Sequence, residues 1–222
     1  MTMLLPATCP VCGSHGAAPC DRCRGQLRPS RSLPCPAGVE RCVSLLDYAG
    51  AGRELVARLK YRNARSSLAW LAAGMAGLVR GDEVDVVTWI PTTAQRRRQR
   101  GFDHAELLAK AVARRLGKPC RRLLVRMPGP AQTGRPEADR HRGPDLRAAA
   151  GHRVPQRILL VDDVITTGAT VSAAARALHG VGATQIVAVS AARTFLRRVE
   201  FGMAVCGSVV ASRCQPQAKR PT

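Results

Sequence analysis

Two adjacent carboxylates followed by a threonine-rich turn form the part of this 222-residue sequence best suited to chemistry. In the stretch ILLVDDVITTGAT, residues 158–170, an apolar run leads into Asp162 and Asp163, and three threonines surround Gly168. The apolar run predicts a buried strand, and the spacing of apolar residues over 171–178 predicts a helix. The two carboxylates and the turn therefore stand where a strand passes into a helix.

A turn at the start of a helix is a natural site for an anion. The first backbone N–H groups of a helix have no partner within the helix, and the helix dipole favours negative charge there. Threonine hydroxyls add hydrogen-bond donors, and Gly168 allows close approach of the backbone. The carboxylates beside such a phosphate site need another role, and ionised carboxylates accept hydrogen bonds from a ribose diol. The sequence thus predicts a site for a ribose 5-phosphate group.

The predicted contacts fall into two sets. The ribose hydroxyls are assigned to Asp162 and Asp163, and the turn residues assigned to the ligand are Val164, Ile165, Thr166, Thr167, Gly168, Ala169 and Thr170. Two other interpretations remain: the metal-holding strand of a P-loop NTPase, and a purely structural strand-turn-helix. The NTPase interpretation lacks its partner motif, because the chain has no G-x-x-x-x-G-K-[ST].

The rest of the pattern supplies elements to position this site. Helices are predicted over residues 53–79, with a break near Asn63, and over residues 103–116, where Asp103 can cap and Glu106 stands at capping-box spacing. Strands are predicted at 84–91, 157–161, 185–190 and 203–210, and a long loop at 128–157. Alternating strands and helices favour a parallel sheet covered by helices, with ligands beyond the carboxyl ends of the strands.

The charge of the chain is strongly positive, at +20 with a pI near 11.2. Residues 94–157 alone hold 17 Lys/Arg against 5 Asp/Glu, a net of +12. Such a surface attracts phosphate, as a nucleic acid or as a small phosphorylated molecule. A bias of amino-acid composition toward arginine, which provides 31 of the 35 basic residues, is the alternative explanation.

Four cysteines near the N-terminus have metal-ligand spacing. The two C-x-x-C pairs are Cys9 with Cys12 and Cys20 with Cys23. Two such pairs suit tetrahedral Zn²⁺, and the segment around them shows no apolar periodicity from which to build a core. The sequence therefore predicts a structural zinc site. A redox pair is the rival, and His15, Cys35 and Cys42 are possible substitute ligands; the remaining cysteines are interpreted as ordinary thiols.

Residues 161–168, VDDVITTG, resemble the PRPP-binding motif of type I phosphoribosyltransferases. Over residues 9–194 the chain is similar to one branch of these proteins, the ComF family (ComF/GntX-like, competence-associated). The marks of that branch are the cysteine pairs, Leu59-Lys60-Tyr61, Ile90-Pro91, residues 100–104 (RGFDH) and Gln132-Thr133. The resemblance implies a type I phosphoribosyltransferase-like α/β fold with a small N-terminal zinc-binding segment.

The resemblance also implies a mechanism. Pyrophosphate, carried by Mg²⁺, would lie near Pro91, Thr92 and Thr93. Arg96, Arg98 and Arg100 are its candidate clamps, and a solvated basic turn is the alternative interpretation of each. Asp162, Asp163 and Arg100 are the expected catalytic residues. Loss of pyrophosphate leaves an oxocarbenium-like ribose, so that catalysis depends on positioning and charge. The 128–157 loop would exclude water, with Arg140 and Arg142 reaching phosphate.

Three segments are expected: a Cys-rich zinc segment at 1–42, a phosphoribosyltransferase-like domain at 43–212 and a loose tail at 213–222. No secretory signal or membrane span is visible, which favours a cytoplasmic location. One expected function is transfer of ribose 5-phosphate from PRPP to an unknown acceptor. The alternative is a non-catalytic module that senses PRPP or nucleotide, or associates with single-stranded DNA in DNA uptake. DNA-uptake proteins and a second copy of the chain are further candidate partners.

Overall fold

The computed structural model describes residues 8–61, 65–128, 144–151 and 153–195. The helices are α1 (Asp21–Arg24), α2 (Gly50–Tyr61), α3 (Leu68–Gly77), α4 (Ala94–Arg100), α5 (His104–Leu116) and α6 (Ala169–His179), with short 3₁₀ turns at Arg65–Ser67 and Gly81–Glu83. The strands are β1 (Arg41–Asp47), β2 (Val86–Trp89), β3 (Leu124–Arg126), β4 (Leu146–Ala148), β5 (Arg157–Ile165) and β6 (Gln185–Arg193).

Four strands form one parallel sheet in the order β1-β6-β5-β2. Strand β5 lies inside the sheet, and its side chains alternate between two cores. Leu159 and Val161 belong to the core that includes α5, whereas Ile158 and Leu160 belong to the core that includes α6. All four are almost fully buried, and each contributes about 1.5–3 kcal/mol of burial free energy. Helices thus cover both faces, which explains the nearly continuous apolar run of β5.

The predicted helices agree with the structure. The 53–79 pattern resolves into α2 and α3, separated by the 3₁₀ turn near the predicted break. Helix α5 begins after Asp103, whose side chain caps it by accepting the N–H of Ala105 at 3.1 Å, and ends at Gly117 in the left-handed conformation. Glu106 does not make the return contact of a capping box. Its carboxylate instead pairs with Lys110 at 2.6 Å.

The strands differ from the prediction at the end of β5, at the unpredicted pair β3 and β4, and at the unpredicted β1. Strand β5 does not end before the carboxylates but continues to Ile165, because its pairing with β6 continues through Asp162, Val164 and Ile165. The predicted 128–157 loop contains β4, which pairs antiparallel with β3. Strand β1 was not predicted, although it pairs with β6 along most of its length.

Several predicted features lie outside the described residues. These are the 203–210 strand, the 213–222 tail, Gln132, Thr133, Arg140 and Arg142. The predicted segment boundary at residue 42 stays a prediction, and β1 begins at Arg41. Within the described part of the chain, no helix combines the length and apolar character needed to cross a membrane.

Candidate phosphoribosyl site

The two predicted ribose ligands lie in the second half of β5. Asp162 and Asp163 are both half-buried, and the Asp162 carboxylate accepts the backbone N–H of Asp163 at 2.8 Å. The parallel ladder fixes the backbone here, since Asp162 stands opposite Ser190 of β6. The carboxylates are therefore held at the carboxyl edge of a rigid sheet, where ligands of such sheets bind.

The threonine turn, residues 166–170, connects β5 to α6. Thr166 and Thr167 are exposed, and the Thr167 hydroxyl oxygen accepts the N–H of Ala169 at 3.3 Å. Gly168, the N-cap residue of α6, has φ of +82°, a left-handed conformation that glycine adopts without strain, and it provides no side-chain cap of its own. The exposed threonines and the N-terminus of α6 thus lie together, and phosphate binding at this turn stays a prediction.

The loop after β2 reaches the same edge of the sheet. Trp89 pairs with Val161, and the N–H of Ile90 donates to the carbonyl of Val161 at 3.1 Å, so that the loop begins beside the carboxylates. Pro91 is buried, and Thr93 caps α4 by accepting the N–H of Arg96 at 3.2 Å. The structure therefore brings the 91–93 loop and the threonine turn together on neighbouring strands.

Asp103 holds this loop in place, a role beyond the helix cap predicted from the sequence. Its carboxylate accepts the N–H of Thr92 at 2.8 Å as well as that of Ala105 at 3.1 Å. The side chain is buried, and burial raises the pKa of Asp103 while the hydrogen bonds from Thr92 and from α5 oppose that rise. One carboxylate thus joins the start of α5 to the loop proposed for pyrophosphate.

The predicted arginine clamp lies on α4. Arg100 is the last residue of that helix and is half-buried, whereas Arg96 and Arg98 are exposed. Gly101 ends the helix in the left-handed conformation and turns the chain toward α5. Helix α4 therefore presents several cations beside the 91–93 loop.

Arg126 is a charged residue of this edge that the sequence did not single out. Residues 119–123 run along β2, where the N–H of Leu123 donates to the Thr88 hydroxyl at 3.2 Å, and β3 then carries Arg126 toward the carboxyl edge. Burial and neighbouring Arg96 lower the pKa of Arg126, and the carboxylates of Asp162 and Asp103 raise it. Arg126 therefore lies within electrostatic reach of both carboxylates and of α4.

The four N-terminal cysteines form a compact cluster. The sulfur atoms of Cys9, Cys12, Cys20 and Cys23 all lie within 4.8 Å of one another, and those of Cys12 and Cys20 are 3.7 Å apart. A tetrahedral zinc ion with Zn–S bonds of about 2.3 Å would separate its sulfur ligands by about 3.8 Å. The cluster can therefore hold a metal such as zinc.

Local hydrogen bonds support that geometry. The N–H of Cys20 donates to the sulfur of Cys9 at 3.4 Å, the kind of outer contact that stabilises metal thiolates. The N–H of Gly13 donates to the carbonyl of Cys9 at 2.8 Å and closes the turn between the first two cysteines. Hydrogen bonds from the hydroxyl and backbone of Ser14 lower the pKa of the Cys12 thiol to about 5, which favours the ligand form.

Comparison with known proteins finds similarity to phosphoribosyltransferases over part of the chain. Residues 103–198 match the phosphoribosyl transferase domain family. The DNA utilization protein YhgH of Salmonella typhimurium is 29% identical over 195 residues, covering 80% of each chain. The competence protein ComFC of Bacillus subtilis is 27% identical over 179 residues, covering 77% of this chain and 70% of that protein.

Two solved structures are also similar. The glutamine PRPP amidotransferase from B. subtilis, complexed with ADP and GMP, gives a TM-score of 0.40 at 24% identity, covering 57% of this chain and 26% of its own, so that this chain spans about a quarter of the amidotransferase. The purine phosphoribosyltransferase from Pyrococcus horikoshii Ot3 gives a TM-score of 0.38 at 17% identity, covering 58% and 83%.

The sheet and the domain match define the class: a type I phosphoribosyltransferase fold, with an N-terminal cysteine cluster that could bind a metal. The similarity to YhgH and ComFC, together with this domain, supports a ComF-family protein.

Proposed function

We propose that this protein binds PRPP and transfers its ribose 5-phosphate to an acceptor with release of pyrophosphate. The observation that carries the proposal is the pair of half-buried carboxylates, Asp162 and Asp163, directly before a threonine turn that opens α6. The spacing suits one sugar phosphate, because the diol can meet the carboxylates while the 5-phosphate meets the turn. Val164, Ile165 and Ala169 would contribute backbone groups to the same ligand.

The cations at this edge suit the leaving group. The pyrophosphate would lie by Pro91, Thr92 and Thr93, and the positive charge of Arg100 and Arg126 would stabilise it as it departs. Mg²⁺ takes most of its ligands from phosphate oxygens and water, so it would arrive with the substrate, and the nearby carboxylates suit its outer shell. The ribose carbon then gains positive charge, which Asp162 and Asp163 are placed to offset.

Calorimetric titration of PRPP with Mg²⁺ tests this proposal. Each of Asp162→Asn and Asp163→Asn removes an ionic acceptor without changing size, and should weaken PRPP binding about tenfold or more, since hydrogen bonds to charged groups contribute about 1.5–3 kcal/mol. Asp82→Asn is the matched control, because Asp82 is exposed in the 3₁₀ turn before β2, at the opposite edge of the sheet. The Asp82→Asn variant should bind PRPP with the affinity of the wild type.

The proposal would be overturned if the wild type did not bind PRPP, or if both asparagine variants bound PRPP with the affinity of the wild type. Pyrophosphate release in the presence of a panel of nucleobases separates transfer from sensing. If PRPP binds but no pyrophosphate is released with any of the nucleobases, the protein is a PRPP sensor.

A second candidate function is association with single-stranded DNA. It is favoured by the net charge of +20 and by α4, where four of seven residues are arginines (AQRRRQR) and most are exposed. The relatives' names, DNA utilization protein and competence protein, point the same way. Binding through phosphates alone should be insensitive to sequence and should weaken steeply as salt rises.

Filter binding of single-stranded DNA across a salt series tests this candidate. Arg96→Gln/Arg98→Gln should lower the affinity and flatten the salt dependence by about one to two ion contacts. The control is Arg114→Gln/Arg115→Gln, a pair of exposed arginines in the last turn of α5. Equal losses in the two double variants would mean that binding is diffuse, and no binding at low salt would exclude the candidate.

A further inference from the structure

A cavity of about 310 Å³ separates the N-terminal segment from the threonine turn. Residues 33–36 line one side, and Thr166, Thr167 and residues 193–195 line the other. The two sides approach closely, since a Cβ added to Gly168 would lie 2.8 Å from Cγ of Pro36. None of the residues that line the cavity carries a carboxylate.

Arg193, at the end of β6, brings an uncompensated charge to this cavity. The residue is only 7% exposed, yet its guanidinium binds neutral partners: Nη2 donates to the Pro34 carbonyl at 2.9 Å and Nη1 contacts the Cys42 sulfur at 3.7 Å. Nε is buried and has no hydrogen-bond partner. Asp47 stands opposite Arg193 in the β1–β6 register but makes no ion pair with it among the described contacts. A buried charge normally requires a counterion.

Other groups around the cavity reinforce its positive character. The Arg31 guanidinium lies 5.1 Å from the ring centroid of Phe195, at the rim. Thr166 and Thr167 are exposed and line the cavity, and α6 directs its positive N-terminus to the same turn. A cavity of this size and composition suits a phosphate or a carboxylate rather than a neutral or cationic group.

We infer that this cavity is an anion-binding pocket in which Arg193 supplies the charge and residues 33–36 form a wall. The inference rests on the proposed function only for the role of the threonine turn. The bound group is the phosphate of the ribose ligand or the anionic group of a second ligand, and both have the chemistry that the pocket recognises. The cysteine-rich segment is then part of the ligand site through the residues that follow its cluster.

Charge-retaining and charge-removing variants test the role of Arg193. Binding of inorganic phosphate, followed by calorimetry, should weaken at least tenfold in Arg193→Gln and by much less in Arg193→Lys. Arg176→Gln is the control, because Arg176 is exposed near the C-terminal end of α6. No phosphate binding by the wild type would overturn the inference. Equal losses in the Lys and Gln variants would also overturn it, because they would mean that Arg193 acts through its contact with Pro34 and not through its charge.

A measurement on the wild type keeps the inference testable if the variants fail to fold. Cys35 lines the cavity and is an exposed free thiol. Phosphate should slow its alkylation by iodoacetamide at least threefold, measured by peptide mass spectrometry, and should leave Cys120 unaffected. Unchanged alkylation of Cys35 at saturating phosphate would contradict the pocket.

Competition identifies the bound group. If ribose 5-phosphate displaces inorganic phosphate at a ratio of one to one, the pocket holds the sugar phosphate. If phosphate still protects Cys35 when ribose 5-phosphate is saturating, the pocket holds the anionic group of a second ligand. The two hypotheses also fail separately. PRPP binding by the wild type together with unchanged phosphate binding by Arg193→Gln removes only the pocket, and phosphate binding without PRPP binding removes only the proposed function.

Discussion

Arg126 illustrates how one side chain can set the charge of the carboxyl edge. It lies near two carboxylates, Asp103 and Asp162, and near a second cation, Arg96. Two negative and two positive groups nearly balance before ligand arrives. Pyrophosphate with Mg²⁺ would then meet a half-buried cation whose surroundings are partly desolvated, where electrostatic interactions are stronger than in water.

Arg126→Gln should therefore weaken binding of Mg²⁺-pyrophosphate about tenfold or more, the loss of one charge-assisted contact. Calorimetry with pyrophosphate measures this directly and does not depend on an acceptor. Arg147→Gln is the matched control, since Arg147 is exposed on the partner strand β4. Equal affinity in wild type and Arg126→Gln would remove Arg126 from the site.

At this scale the sequence predicts motif residues better than residues brought together by folding. Asp162, Asp163 and the threonines are contiguous, so the prediction of their common position needed only the strand and the helix. The cap by Asp103 was also predicted, because capping is local. Arg126 could not be found in this way, since its position depends on a short strand paired with residues about twenty positions later. The link from Asp103 to Thr92 is likewise a contact between separate elements.

The threonine turn depends on the backbone of Gly168. Its φ of +82° costs an L-residue about 1–2 kcal/mol, and a Cβ would lie 2.8 Å from Pro36. Gly168→Ala should therefore lower the free energy of unfolding by more than the conformational cost alone, and should weaken ribose 5-phosphate binding by moving the turn. Urea unfolding and calorimetry measure the two effects.

Gly182→Ala separates backbone strain from steric contact. Gly182 has φ of +103°, but an added Cβ would meet nothing within 4 Å. This variant should lose only the conformational part of the stability and should keep its affinity for ribose 5-phosphate. If both variants lost equal stability and both bound normally, the contact between Pro36 and the turn would be unimportant.

Helices were predicted more accurately than strands, for a physical reason. A helix can be recognised in the sequence from its local periodicity and its capping residues, as α5 can from Asp103 and Gly117. The three residues of β4 are too few to show a period, and they form a strand because β3 pairs with them. Strand β1 likewise depends on β6, more than 140 residues later. The length of β5 was underestimated because its pairing with β6 continues to Ile165, beyond the end of the apolar run that predicted the strand.

Over the whole molecule, the cysteine-rich segment is joined to the sheet domain by several contacts. Val11 and Leu27 pack against the core that contains α5. Backbone hydrogen bonds also join Asp47 N–H to the Arg28 carbonyl at 2.9 Å and Ser30 N–H to the Leu45 carbonyl at 3.1 Å. Loss of order around the cysteines should therefore affect the stability of the domain and not only of the segment.

Metal removal tests this coupling. The purified protein should contain about one zinc per chain. Cys12→Ser should release it, because a tetrahedral site with three thiolates binds much more weakly and structural zinc supplies about 10–16 kcal/mol of apparent binding energy. Metal analysis and thermal unfolding should show lost zinc together with a lower Tm, and a strong chelator should reproduce both in the wild type.

Cys35→Ser is the control for this experiment, since Cys35 lies in the same part of the chain but outside the four-sulfur cluster. It should keep both the zinc and the Tm. A zinc content near zero in the wild type would refute the metal site. Zinc loss with an unchanged Tm would instead mean that Val11, Leu27 and the backbone bonds to Asp47 and Leu45 hold the segment without metal. The coupled loss is expected because these contacts come from Val11 within the cluster and from residues 27–30 directly after it, and the short helix α1 within the cluster has too few residues to be stable alone.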